Sequence, residues 1–276
     1  MRLRLDLAYD GTDFHGWAAQ PSLRTVQGEL EKALATVLRI DTVPVTCAGR
    51  TDTGVHARGQ VVHLDLHPDV LAGAAGRSDA PAPDALVRRL NGVLPADVRV
   101  HRAAQAPDAF DARFSALWRR YAYRIADAPE LVDPLVRNAV LAWPRPLDLD
   151  AMNDAADLLV GEHDFAAFCR RREGATTIRT LLELRWDRDA SGLAVATVRA
   201  DAFCHSMVRA LVGCLVAVGE GRRTPEWAGE LLRAAQRDPG VTVMHAHGLT
   251  LEEVAYPADA DLATQAEAAR VVRTLP

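Results

Sequence analysis

Leu3, Leu5, Leu7 and Tyr9 alternate with Arg4, Asp6 and Ala8 at the start of the chain. A period of two over seven residues marks a strand with one face buried. Asp10-Gly11-Thr12-Asp13 then turns the chain, and Thr25 caps a helix that presents Val26, Leu30, Ala33, Leu34 and Val37 on one face. Apolar runs predict strands over 43–48 and 60–66. The stretch 72–83, rich in Ala, Gly, Pro and Ser, reads as a flexible surface connection. Pro83-Asp84 opens a short helix through Leu90, and a strand follows over 97–103. This order, β-α-β-β-α-β, is that of the split ferredoxin-like unit.

The second half reads the same way. In a strand over 118–126, Tyr121, Tyr123 and Ile125 point to one side while Arg120, Ala122 and Arg124 point to the other. Asp150 caps a helix that Gly161 ends. Strands over 180–187 and 193–200 are joined by the Asp189–Gly192 turn, and a helix spans 204–219. Thr224-Pro225 starts another helix through Gln236, and a last strand lies near Leu251 to Tyr256. The expected fold is therefore α+β. It consists of two ferredoxin-like halves related by pseudo-twofold symmetry, with mostly antiparallel sheets meeting at a central cleft where a ligand would bind. The expected division is 1–105, 106–257 and a loosely held, alanine-rich tail over 258–276.

With 49% hydrophobic and 25% charged residues, the 276-residue chain has the balance of an ordinary soluble protein. Met1-Arg2-Leu3 enters the first strand at once, which argues against a signal peptide. The longest apolar run, Leu211 to Val218, is too short to span a bilayer. Cysteines 47, 169, 204 and 214 show neither paired metal spacing nor a disulfide framework, so a reducing cytoplasm is expected. The net charge of −5 argues mildly against a nucleic-acid partner, but distribution matters more than the sum. Arg113, Arg119, Arg120 and Arg124 form one basic cluster, and Arg170, Arg171, Arg172 and Arg179 another. Lys32 is the one lysine. Arginine grips phosphate through two parallel hydrogen bonds. A single arginine run would read as a solvated face, and two runs beside the Asp52 motif weigh against that.

The densest chemical signal is Cys47-Ala48-Gly49-Arg50-Thr51-Asp52-Thr53-Gly54-Val55-His56-Ala57, a polar loop between two apolar strands. Glycines 49 and 54 bracket a single carboxylate, Asp52, and let the loop bring it close to a ligand. Arg50 stands two residues away, able to pair with Asp52 or with an anionic substrate. Asp52-Thr53-Gly54 also matches the triplet of aspartic proteases. Those enzymes need a second carboxylate to share a proton, and the chain holds one such triplet, preceded by polar Gly-Arg-Thr. His56 and His63 read as loop and strand structure, since no convergent Cys/His set accompanies them.

Ala48-Gly49-Arg50-Thr51-Asp52 followed by Gly54-Val55-His56-Ala57 resembles the active-site signature of the tRNA pseudouridine synthase A family. Other similarities extend along nearly the whole chain. Tyr9-Asp10-Gly11 with Phe14, Gly16 and Trp17 is similar to the family's opening motif, with Ala18 where glutamine is usual. Phe110–Ala116 followed by Arg119–Tyr123 is a second match, and Phe203–Arg209 a third. Gly248–Leu251 resembles the closing segment, with Thr250 in place of an aromatic residue. The resemblance implies that Asp52 is the catalytic carboxylate, Tyr121 the active-site tyrosine and Arg209 the arginine that pairs with the aspartate. On a helix over 204–219, Arg209 would follow His205 by one turn on the same face.

The implied reaction converts uridine to pseudouridine: the N1–C1′ bond breaks, the uracil turns, and C5 joins C1′. The electron-poor sugar carbon would be met by an ionised carboxylate, as in glycoside hydrolysis. Arg50 would occupy the gap left by the displaced base. Arg113, Arg119, Arg120, Arg170, Arg171, Arg172 and His205 would bind the RNA. The resemblance further implies a homodimer acting on tRNA positions 38 to 40 in the anticodon stem-loop, with no cofactor, metal or membrane. A non-catalytic RNA-binding protein is the alternative. It has no use for an ionised carboxylate facing phosphates.

Overall fold

The computed structural model describes residues 1–76, 79–170 and 176–274. In chain order the strands and helices are β1 (Arg2–Tyr9), α1 (Val26–Leu38), β2 (Thr46–Cys47), β3 (His56–Asp65), α2 (Pro68–Ala75), α3 (Ala82–Val93), β4 (Val98–Ala106) and β5 (Trp118–Ala126). These are followed by β6 (Leu141–Ala142), α4 (Leu149–Asp157), β7 (Gly161–Asp164), β8 (Ile178–Arg188), β9 (Ala194–Ala200), α5 (Met207–Gly219), α6 (Glu226–Ala234), β10 (Leu249–Ala255) and α7 (Leu262–Arg270). The architecture is mixed α+β, and its strand pairings are largely antiparallel. The chain divides into two compact units, residues 1–117 with 251–271, and residues 118–250 with 272–276.

In the first unit, β1 lies between β3 and β4, antiparallel to both. Leu3, Leu5 and Leu7 are fully buried and pair across β3 with Leu64, Val62 and Gln60. The strand expected over 43–48 shrinks to Thr46–Cys47, paired with His63 and Val62. Pro44 has no amide to give a ladder, although Val43 and Val45 on either side are still buried. Gly59 lets β10 come close to β3: a Cβ there would stand 2.2 Å from the carbonyl oxygen of Glu252.

The expected flexible stretch 72–83 is corrected at both ends, since 72–75 belong to α2 and 82–83 to α3. Pro68 occupies the first turn of α2, the His67 side chain accepts from the Asp69 amide, and Leu71 and Ala74 are buried. Alanine is a strong helix former, so a helix wins once one face has a core to meet. Residues 262–270, read from composition as part of a loose tail, likewise form α7. Leu262 and Ala266 are buried there, and Arg270 pairs with Asp111.

In the second unit, β9 lies between β5 and β8, antiparallel to both, while β7 pairs with β8 and β6 runs parallel to β5. The cap of α4 is Asp148, which accepts from the Ala151 amide, and Gly161, at a φ of 121°, opens β7 instead of closing the helix. Nearly every residue of α5 is buried. Gly213 on that helix is indispensable to its packing, because a Cβ there would overlap the carbonyl oxygen of Thr242 at 1.7 Å.

Candidate active site

The Asp52 loop connects β2 to β3, as the polarity pattern predicts. Its base is closed by the Ala48 amide on the carbonyl of Val61 at 2.8 Å, and a turn follows Asp52, whose carbonyl accepts from the Val55 amide at 3.1 Å. The segment 10–17 backs the loop. Trp17 donates its amide to the Thr51 carbonyl at 3.0 Å. Gly16, at a φ of 88° that favours glycine, packs tightly against the loop, where a Cβ would stand 3.0 Å from the Thr51 carbonyl oxygen. Arg24 secures that segment by a two-pronged bond to Asp97, both contacts 2.8 Å, while its guanidinium lies 4.0 Å from the centre of the Phe14 ring. Asp52 is half-buried and Arg50 exposed. The main chain that carries the carboxylate is thus held by its surroundings, while the arginine reaches toward solvent.

His56 accepts the Gly11 amide at Nδ1 (3.0 Å), and His63 accepts the Ala112 amide in the same way (3.0 Å). Both rings serve as structure. Burial holds His63 below its ordinary pKa, with Arg2 contributing, so the neutral acceptor is favoured. Burial pushes the neighbouring Cys47 thiol up to about 11, against the pull of Arg50 and Arg113. Arg113 is exposed, with its guanidinium 4.8 Å from the Phe114 ring; Arg270 lies 4.6 Å from the same ring.

In the second unit the expected site residues converge on the loop 203–206. Tyr121 is buried on β5, and its ring meets Phe203 edge-on at 5.1 Å. The Arg170 amide donates to the His205 carbonyl at 3.0 Å. Cys169 and Cys204 form a disulfide, with Cα atoms 5.7 Å apart. This corrects the expectation of four unbridged thiols. A separation of 35 residues has no spacing signature, and the pairing arises only where the turn at 166–168 meets the loop before α5.

A second correction concerns His205. The helix starts at Met207, not 204, and Ser206 takes a left-handed conformation (φ 64°) ahead of it. That conformation is uncommon for a residue other than glycine, and it breaks the helical register between positions 205 and 209. His205 is therefore exposed in a turn and does not share a helix face with Arg209. Arg209 itself lies in the first turn of α5 and donates through Nε to the Met244 carbonyl. Its positive charge acts on Tyr123, whose phenol burial pushes well above the ordinary range.

The expected RNA-binding arginines are placed unequally. Arg119 is buried, with Nη1 donating to the Asp201 carbonyl at 2.6 Å. Arg120 is half-exposed and Arg170 exposed. Arg171 and Arg172 lie outside the described residues. Among the described residues no group of three His, Cys, Asp or Glu side chains could hold a metal ion, and no helix is long and apolar enough to cross a membrane.

One protein family, described as tRNA pseudouridine synthase, matches residues 7–115 and 155–257. The chain is 64% identical over 278 residues to tRNA pseudouridine synthase A of Streptomyces griseus, covering all of this chain and 95% of that protein. It is 61% identical to the protein of the same name from Frankia casuarinae, covering all of this chain and 97% of that one. The Mycobacterium leprae protein of that name is 53% identical over 277 residues, 99% of this chain and 96% of its own length.

Proposed function

Because the chain belongs to the tRNA pseudouridine synthase family, an isomerase family, we propose that it converts uridine to pseudouridine at positions 38 to 40 of the anticodon stem-loop, with Asp52 as its catalytic carboxylate. The observation that carries this reading is the Asp52 loop. A single carboxylate stands between two anchored strand ends, on a main chain held by Trp17, Gly16 and Val55, in the segment that resembles the family's signature.

In the proposed reaction the bond between N1 and C1′ breaks, and the ionised Asp52 stabilises or attacks the electron-poor sugar carbon. The freed uracil turns, C5 bonds to C1′, the C5 proton leaves and N1 gains one, so the product is an isomer of the substrate. Tyr121 stacks on the uracil and takes the C5 proton. Arg209 keeps the carboxylate ionised and oriented, and Arg50 fills the space of the displaced base. Arg113, Arg120 and Arg170 to Arg172 hold phosphates, and Arg119, turned onto Asp201, serves by shaping that surface. In the first unit β1 lies between β4 and β3 and the short β2 also pairs with β3, all antiparallel, which suits the ferredoxin-like reading of that half. We place the protein in the cytoplasm because its proposed substrate is tRNA; with Cys169 and Cys204 bridged, the cysteines no longer point there. By the family resemblance it is a homodimer.

The test is to incubate unmodified tRNA with the protein and map pseudouridine. Wild-type protein should modify uridines within the anticodon arm. Asp52→Asn should modify none while still binding tRNA, because it keeps the shape and loses only the charge. Binding without modification by the wild type would establish the alternative, a non-catalytic RNA-binding protein.

A further inference from the structure

Gln60 is completely buried on β3, at a position paired with Leu7 and followed by Val61 and Val62. Such a position ordinarily takes an apolar residue, since an amide there costs desolvation unless every polar atom is paired. Here they are paired. Nε2 donates to the Gly49 carbonyl at 2.8 Å and to the Tyr9 hydroxyl at 3.3 Å, and Oε1 accepts from the Val61 amide at 3.2 Å. The Tyr9 hydroxyl lies 2.8 Å from the Thr51 hydroxyl, both side chains buried.

One amide therefore reaches both flanks of Arg50. It grips Gly49 directly and, through Tyr9, grips Thr51, whose next residue is Asp52. The opposite side of Thr51 is fixed by the Trp17 amide. Three buried side chains from β1, β3 and the loop thus meet at a point one residue from the carboxylate, and none of them is needed to close the β1–β3 ladder.

We propose that Gln60, acting through Tyr9 and Thr51, is a positioning residue for the reaction at Asp52. It sets where the carboxylate stands relative to the sugar carbon and makes no contact with substrate. This rests on the reading of Asp52 as the catalytic group. A displacement of about 1 Å at a reacting group can cost on the order of 100-fold in rate, so the loss should appear in the chemical step and not in binding.

The experiment compares Gln60→Met, which preserves length and burial, and Tyr9→Phe, which removes only a hydroxyl, with their double variant and Asp52→Asn. Single-turnover rates on saturating unmodified tRNA are measured beside tRNA affinity, well below each variant's melting temperature. Each single variant should be slowed roughly 10–100-fold with affinity unchanged within about twofold. The double variant should be little slower than the worse single one, as expected for links of one chain. If both singles turn over bound tRNA at the wild-type rate, or the double shows the plain product of their effects, Gln60 does not position the loop. If Gln60→Met fails to fold, a wild-type rate in Tyr9→Phe alone would overturn the proposal. Residual activity in Asp52→Asn would overturn the underlying reading instead, whatever the Gln60 variants do.

Discussion

Arg209 and Met244 hold each other twice: Arg209 Nε donates to the Met244 carbonyl at 2.5 Å, and the Met244 amide donates to the Arg209 carbonyl at 3.1 Å. The first turn of α5 and the 242–245 segment are thereby locked, and Tyr123 extends the lock with its hydroxyl on the His245 carbonyl at 2.7 Å. Of the guanidinium nitrogens, Nε is engaged in this main-chain bond, and the planar fork beyond it is aimed by that bond.

Arg209→Lys tests the arrangement. Lysine keeps the charge but has neither the Nε donor nor a planar fork. The turnover of bound tRNA should fall roughly 100-fold, the scale for losing one placed donor to a developing charge. Affinity for tRNA should change little, while loss of the Nε bond to the Met244 carbonyl should lower stability by about 0.5–1.5 kcal/mol. The measurement is single-turnover pseudouridine formation beside equilibrium binding.

Tyr121→Phe separates stacking from proton removal. The ring contact with Phe203 needs no hydroxyl, so the variant should fold and bind tRNA as the wild type does. Product formation should fall by about 100-fold or more if the phenol takes the C5 proton. A rate near that of the wild type would reduce the tyrosine to a stacking surface.

An acidic chain that binds tRNA must do so through local arginine density. The logarithm of affinity should fall linearly with the logarithm of salt over roughly 50–200 mM. Replacing Arg170, Arg171 and Arg172 together by alanine should flatten that slope and raise KM, leaving the rate on bound tRNA much less affected. Filter binding across the salt series checks the first part, and steady-state kinetics the second.

The four cysteines should divide two and two. In denatured, unreduced protein purified without reductant, Cys47 and Cys214 should be alkylated, and all four after reduction. In the native protein near pH 8 both free thiols should react slowly, because burial pushes Cys47 up to about 11 and Cys214 up to about 12. Cys204→Ser should lower stability by about 2–4 kcal/mol. Mass spectrometry of alkylated peptides and chemical denaturation read the two effects.

Acid should weaken the fold in two stages. His63 is held below its ordinary value by burial and then by Arg2, so its neutral form stabilises the folded state above about 6.5. That contribution fades as pH falls through the lower folded-state value, when protonation also breaks the bond from the Ala112 amide. Asp127 is held below the carboxylate range by its bond to Arg188, and its contribution disappears below about pH 4. In urea unfolding measured against pH, His63→Gln should remove the first stage only, and Asp127→Asn the second.

Local chemistry determined much of this protein. The period of two placed β1 and the strand at 118–126, Thr25 capped α1, and the polar break between apolar runs located the Asp52 loop. Each rests on interactions within a few residues, which the order of side chains displays directly. Other features needed the tertiary structure. Alanines in α2 and α7 became helical because buried faces awaited them, and Pro44 shortened a strand whose neighbours still entered the core. The Cys169–Cys204 bridge, the left-handed Ser206 that separates His205 from Arg209, and the inward turn of Arg119 onto Asp201 all depend on which distant segments come together. Gln60 shows the division within one residue. Its polarity is visible in the sequence, but what that amide holds depends on β1, β3 and the loop meeting in space.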